Sequence, residues 1–276
     1  MQRLSAPIFV MLLSALTGGV AEAQTIMTGQ TASGAFFRIE VPAEWQPADG
    51  LVVWNHGFDL EPPDEVTAGE LGPLAAIQLG QGYAVAASSY SLAGWALFQT
   101  LQDNRELVEE FGATFGVPEQ VIVTGASLGG IVTAQAIEQG GLGQVVGAYP
   151  ICGAVGGSRV WDGALDLRLI YDVICSDVPG AAIPGGADGL PNPTDFDEFA
   201  LGFALEACFA LVTGIPNVEQ QARMDQMLAL TGLPVEFLAT DMGFATFAIS
   251  DLVFDPAKLD GGMAMENLNV DYGDAA

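Results

Sequence analysis

The chain has 276 residues, half of them apolar, with 34 acidic against 7 basic side chains and a formal net charge of −27. Such a length suffices for one large domain with a sizeable core, and the charge argues against nucleic acid and anionic membrane surfaces as partners, since both are repelled. The acids are scattered without metal-ligand spacing, so they read as a solvated surface suited to a salty habitat; no metal site and no cofactor are implied.

The first 23 residues carry the marks of a secretory signal: Arg3 as a basic start, an apolar run over 8–16, and Ala21-Glu22-Ala23 as a small-x-small cleavage site. The run is shorter than the roughly 20 residues a membrane span needs, so the expected mature protein begins at Gln24, is secreted or periplasmic, and has no membrane span after cleavage. Residues 34–41 predict an antiparallel edge strand, and 51–55 and 83–88 predict buried strands rich in valine and alanine. A helix is expected over 98–115, where Leu101, Val108, Phe111 and Phe115 form an apolar stripe opposite Glu106, Glu109 and Glu110. A strand over 120–124, a helix over 128–139 stopped by Gly140-Gly141, and a strand over 144–151 complete the alternation. Strands alternating with helices predict an α/β fold with a mostly parallel sheet between helices.

After Cys152 the pattern changes. A Pro/Gly-rich loop over 178–194 precedes helical patterns at 195–213 and 217–231; the first is very apolar, but Glu198 and Glu206 interrupt it too often for a membrane span. The stretch from Lys258 to Ala276 is polar and Gly-rich. The expected organisation is therefore a signal peptide over 1–23, an α/β core over 24–152 and a helical cap or insertion over 153–276. In an oxidising compartment the three cysteines, Cys152, Cys175 and Cys208, leave one thiol over, either a buried free cysteine or the partner of a fourth beyond this chain.

Gly125-Ala126-Ser127-Leu128-Gly129 matches the G-x-S-x-G nucleophile elbow, with an apolar β run, V-I-V, leading in and a helix pattern leading out. The flanking glycines suit a turn too tight for larger side chains. Trp54-Asn55-His56-Gly57-Phe58 closes the early strand L-V-V-W-N. Together these segments resemble the α/β-hydrolase superfamily, in which an H-G-x segment after the third strand supplies half of the oxyanion hole. The resemblance covers about residues 34–152; a cap inserted after the sixth strand is common in the superfamily. It implies that Ser127 is the nucleophile, that the backbone N–H groups of Phe58 and Leu128 bind the oxyanion, and that His56, Gly57, Gly125 and Gly129 support them. The implied activity is cleavage of carboxylic esters by a serine hydrolase, with a small-molecule ester or acyl substrate as partner; a prolyl-oligopeptidase-like peptidase and a non-catalytic hydrolase-like binding module are the alternatives.

A serine hydroxyl needs a base, yet His56 is the only histidine and lies about seventy residues before Ser127. In the superfamily the acid and the histidine follow the serine, so His56 reads as a loop scaffold more readily than as the base. Leu233 to Asp241 superficially resembles a strand that ends on the acid, although 243–252 continues as an apolar helical pattern; Asp241 is a weak candidate acid, and Lys258 reads as a solvated loop residue. The expectation is a chain that stops inside or just after its cap, before the acid and histidine, with Cys175 and Cys208 closing the cap and Cys152 without its partner.

Overall fold

The computed structural model describes residues 25–183, 197–254 and 258. The expected signal peptide, residues 184–194 of the Pro/Gly loop and the polar stretch from 259 onward lie outside the described residues. Six strands, β1 (Thr25–Gln30), β2 (Phe36–Val41), β3 (Leu51–Asn55), β4 (Ala84–Ser88), β5 (Val121–Ala126) and β6 (Val145–Ile151), form one mixed sheet in the order β1-β2-β4-β3-β5-β6. β1 and β2 run antiparallel to their neighbours, while β4, β3, β5 and β6 are parallel.

The 34–41 segment is therefore not the sheet edge: β1 flanks it. Every residue of β1 is exposed or half-buried, so the strand carries no alternation of buried apolar positions to betray it. At the opposite edge β6 pairs only with β5 among the described strands, leaving Val146 and Tyr149 exposed.

Both faces of the central strands are covered. Leu51 and Val53 of β3 join Ala84, Ala86, Val121 and Val123 against Leu101, Leu107 and Phe111 of α3 (Thr100–Phe115) and Ala136 of α4 (Leu128–Gln139). The alternate residues Val52, Trp54, Val85 and Ala87 pack with Leu71 and Leu79 on the other face, under two short helices, α1 (Glu65–Ala68) and α2 (Ala75–Gly80). Burial on two faces is why these strands read as unbroken apolar runs rather than as alternation.

The helical region begins with Ser158–Ile174, a helix the sequence reading leaves unassigned, although Trp161, Ala164, Leu167, Tyr171 and Ile174 recur at helical spacing and are all buried. Glu198–Phe209 and Val218–Thr231 fall within or close to the expected spans, the latter opened by a capping box between Asn217 and Gln220. The segment resembling a strand before Asp241 is instead the helix Val235–Gly243, continued through a π turn at Phe244–Ala248 into Ile249–Phe254. Buried Leu238, Met242, Ala245, Ile249 and Leu252 keep a three-to-four-residue spacing across the junction, and that period prevails over the local β-like composition. A disulfide joins Cys175 to Cys208. Cys152 is free and exposed, which corrects the buried-cysteine option.

One apolar cluster unites this region with the strand ends: Tyr90, Trp95 and Leu128 pack with Trp161, Tyr171, Leu205, Phe209, Met242 and Ile249. The helices thus sit over the C-terminal ends of β4 and β5. Helix 198–209, charged only at Glu198 and Glu206, buries Leu201, Ala204, Leu205, Cys208 and Phe209 while Phe199 and Phe203, one turn apart, remain 80% and 73% exposed.

Candidate functional site

Ser127 occupies the turn from β5 into α4 at φ 55°, ψ −116°. A non-glycine residue held there stores about 1–3 kcal/mol of strain, which persists only where the surroundings over-determine it. Those surroundings are backbone. A Cβ on Gly129 would fall 2.0 Å from the carbonyl oxygen of Asn55 and 2.6 Å from that of His56, and one on Gly125 would fall 2.5 Å from the Gly129 oxygen. On the far side a Cβ on Gly130 would meet Gly153 Cα at 2.5 Å, and the Ser127 N–H donates to Ile151 O at 3.0 Å. The elbow is wedged between the end of β3 and the chain leaving β6.

The loop after β3 meets it directly: a Cβ on Gly57 would lie 3.5 Å from Ser127 Cβ. The sequence-predicted residues Ser127, Leu128, Gly57 and Phe58 therefore come together at one end of the sheet. Leu128 is the first residue of α4, so its N–H has no acceptor within the helix, and the positive end of the helix dipole adds to it. Asn55, fully buried, fixes the β3 end. Its amide donates to Thr124 O at 3.1 Å and to Thr133 Oγ1 at 3.5 Å, and Asn55 Oδ1 accepts from Asn104 at 2.7 Å. This polar network ties β3, β5, α3 and α4 together beneath the turn of Ser127. Asn55 closes the strand L-V-V-W-N in the sequence, and an amide ending an apolar run was the one available signal for it.

His56 turns the other way. Its ring stacks on Tyr90, with centroids 4.0 Å apart and planes at 23°, and Tyr90 follows β4, the neighbour of β3 opposite to β5. Nδ1 lies 2.7 Å from Gly57 O, so the neutral ring donates there, while Nε2 is buried with no hydrogen-bond partner among the described residues. Burial holds the imidazole below its ordinary value of 6.5, against weaker support from the Gly57 carbonyl and from the charges of Asp59 and Glu70. Tyr90, itself at φ 58°, donates its hydroxyl to His56 O at 3.0 Å, and desolvation raises its phenol well above the usual value, so it stays neutral. Asp103 anchors the neighbouring loop by accepting from the Ser91 N–H at 2.8 Å and hydroxyl at 3.0 Å; burial pushes its carboxyl upward. Tyr90 and Asp103 were not legible, because no motif marks them.

The two remaining sequence candidates stand elsewhere. Asp241 is half-buried on helix 235–243, with burial pushing its carboxyl up, and no hydrogen bond among the described residues joins it to Ser127. Lys258 is not a solvated loop residue: it is buried, and its Nζ donates to Asp251 Oδ1 at 2.6 Å. A lysine exposes so little only when its charge is matched, and a lone sequence cannot show the match. Beside the loop after β3 an aromatic wall rises, with Phe58 against Trp95 at 5.3 Å and Trp95 against Trp161 at 5.3 Å and Phe244 at 6.0 Å.

The strand order, the reversed first strands and a strained serine between β5 and α4 define an α/β-hydrolase-like fold. No family model matches the chain, and no curated protein does. Solved structures similar to it include the rice cell wall degrading esterase LipA from Xanthomonas oryzae, 13% identical over 91% of this chain and 84% of that one, at a TM-score of 0.38. An acetyl xylan esterase from Aspergillus awamori is 19% identical over 40% and 45% of the two chains, at a TM-score of 0.31. Prolyl oligopeptidase B from Galerina marginata is 15% identical over 47% and 20%, at 0.34. The fold assignment rests on the chain's own strand order and elbow.

Proposed function

We propose that this chain is a serine hydrolase that cleaves carboxylic esters through an acyl-enzyme on Ser127. The observation that carries the reading is the strained turn of Ser127 with Gly57 in van der Waals reach of it. Ser127 Oγ attacks the acyl carbon, the N–H groups of Phe58 and Leu128 receive the developing oxyanion, the alcohol leaves, and water releases the acid. His56, Gly57, Gly125 and Gly129 hold the donors and nucleophile in register. The aromatic wall of Phe58, Trp95, Trp161 and Phe244, under a helical cap, favours acyl or aromatic ester groups over charged ones. The Cys175–Cys208 disulfide supports an oxidising compartment, in keeping with export directed by residues 1–23.

The sequence holds no second imidazole, and His56 leans toward Tyr90, so the Ser127 proton passes to solvent and turnover of this chain is slow. An oxyanion hole and binding alone sustain about 10³–10⁴-fold over water in triad enzymes stripped of a member. The test is labelling by a fluorophosphonate together with hydrolysis of p-nitrophenyl acetate and butyrate, in the wild type and in Ser127→Ala. Slow hydrolysis and labelling, both lost in Ser127→Ala, are expected. A Ser127 that neither labels nor hydrolyses overturns the reading in favour of a binding module.

A further inference from the structure

The buried pair of Asp251 and Lys258 has no part in the chemistry described so far, and it sits where a rigid support is needed. Asp251 is 4% exposed and Lys258 6%. Taking two charges out of water seldom gains stability over an apolar pair of the same size, so such a pair is better explained by what it fixes in place. Among the described residues its attachments are on one loop. Asp251 Oδ2 accepts from the Trp95 N–H at 2.8 Å, and Oδ1 accepts from Lys258. The neighbouring Gly94, at φ 71°, comes so close that a Cβ there would lie 2.1 Å from Asp251 Oδ2 and 2.5 Å from Lys258 Nζ. Gly94 in turn donates its N–H to Asp59 O at 2.6 Å, and the Trp95 ring packs on that of Phe58.

We infer that the Asp251–Lys258 ion pair positions the oxyanion loop: by holding Gly94 and Trp95 in place it grips Phe58 and Asp59, and so sets the direction of the Phe58 N–H beside Ser127. Residues about 160 positions apart in sequence thereby join the end of the helical region to the donor side of the site. Asp251 and Lys258 are positioning residues; neither touches the reacting atoms. The inference rests on the serine-esterase reading for its catalytic consequence, but the mechanical link from Asp251 to Phe58 is measurable without activity.

The experiment uses the full chain and three variants: Asp251→Asn, Lys258→Met, and the two combined, which leaves no unmatched buried charge and so guards against a fold lost to a lone ion. Amide hydrogen exchange of the folded proteins is followed at Trp95 and Phe58, with p-nitrophenyl butyrate kinetics alongside. Expected is at least tenfold faster exchange at both amides in each folded variant, with exchange in β3 and β5 unchanged. In an active wild type, kcat falls about tenfold and KM holds, because an oxyanion donor acts in the transition state rather than in substrate binding. Faster exchange at Trp95 with Phe58 unmoved overturns the inference, as does unaltered kcat in a folded, loosened variant. If the wild type shows no Ser127-dependent activity, the esterase reading fails and the exchange at Phe58 alone decides the positioning link.

Discussion

The two halves of the molecule are held by different means. Around Ser127 the parts meet backbone to backbone, with Gly125, Gly129 and Gly130 admitting Asn55, His56 and Gly153 to contact distance. In the helical region the parts meet through side chains: a disulfide, a buried ion pair, and an apolar cluster running from Trp161 to Ile249. A backbone contact tolerates no added atom and fixes a geometry to tenths of an ångström, whereas an apolar cluster can repack around a change of similar volume. Ser127 belongs to the rigid half; Trp161 and Phe244 of the aromatic wall belong to the adaptable one.

That contrast can be broken most severely at Gly129. Gly129→Ala places a methyl 2.0 Å from the Asn55 oxygen, and a loss of about 4 kcal/mol or more, in the exceptional range for single substitutions, is expected in urea denaturation. A variant melting within a few degrees of wild type would show the elbow to be looser than described. Next comes Cys175→Ser with Cys208→Ser. Opening a link across a sequence separation of 33 removes about 4 kcal/mol in the loop-entropy account. The loss should be confined to the helices: limited proteolysis is expected to cut within 158–254 while the sheet amides keep their protection.

A smaller effect, about 1–3 kcal/mol for a buried group left unpaired, is expected for Asn104→Ala, which strips Asn55 Oδ1 of its 2.7 Å donor. If the network acts on the turn of Ser127, the rate of Ser127 labelling by a fluorophosphonate falls with it. The gentlest test is His56→Asn. The folded imidazole has a lowered pKa, so below 6.5 the unfolded chain takes up the proton first and stability falls with pH until the folded value is passed. Asp103, with a raised folded pKa, adds stability as pH falls toward its unfolded value and so opposes the trend. The difference between wild type and His56→Asn isolates the histidine: a destabilisation specific to wild type below pH 6.5 is expected, and identical pH curves would mean that His56 is solvated.

The same division explains what could be read from the chain alone. The elbow, the H-G-F loop and the strands beneath them depend on glycine spacing and apolar runs, which are properties of neighbouring residues. Their bounds were anticipated to within about two residues, as for α3, α4 and β6. β1 escaped because it buries nothing fully, and the helix at 158–174 because Arg168 and Asp172 sit within its apolar spacing; Arg168 is buried and paired with Asp172 at 3.0 Å. Lys258 read as a solvated loop residue and Asp251 drew no reading of its own, since the loop they meet lies far off in sequence. Tyr90 gave no signal either, its role being to meet the His56 carbonyl in the loop after β3.

The exposed rings of Phe199 and Phe203 on a chain of net charge −27 make the molecule a charged colloid with an adhesive spot. At low ionic strength like charges keep copies apart but also strain the compact state from within. Added salt shortens the range of that repulsion to about 3 Å at 1 M, steadying each molecule while letting the phenyl rings of different molecules meet. Conditions that make the single chain firmest are then the ones in which solutions of it first turn cloudy.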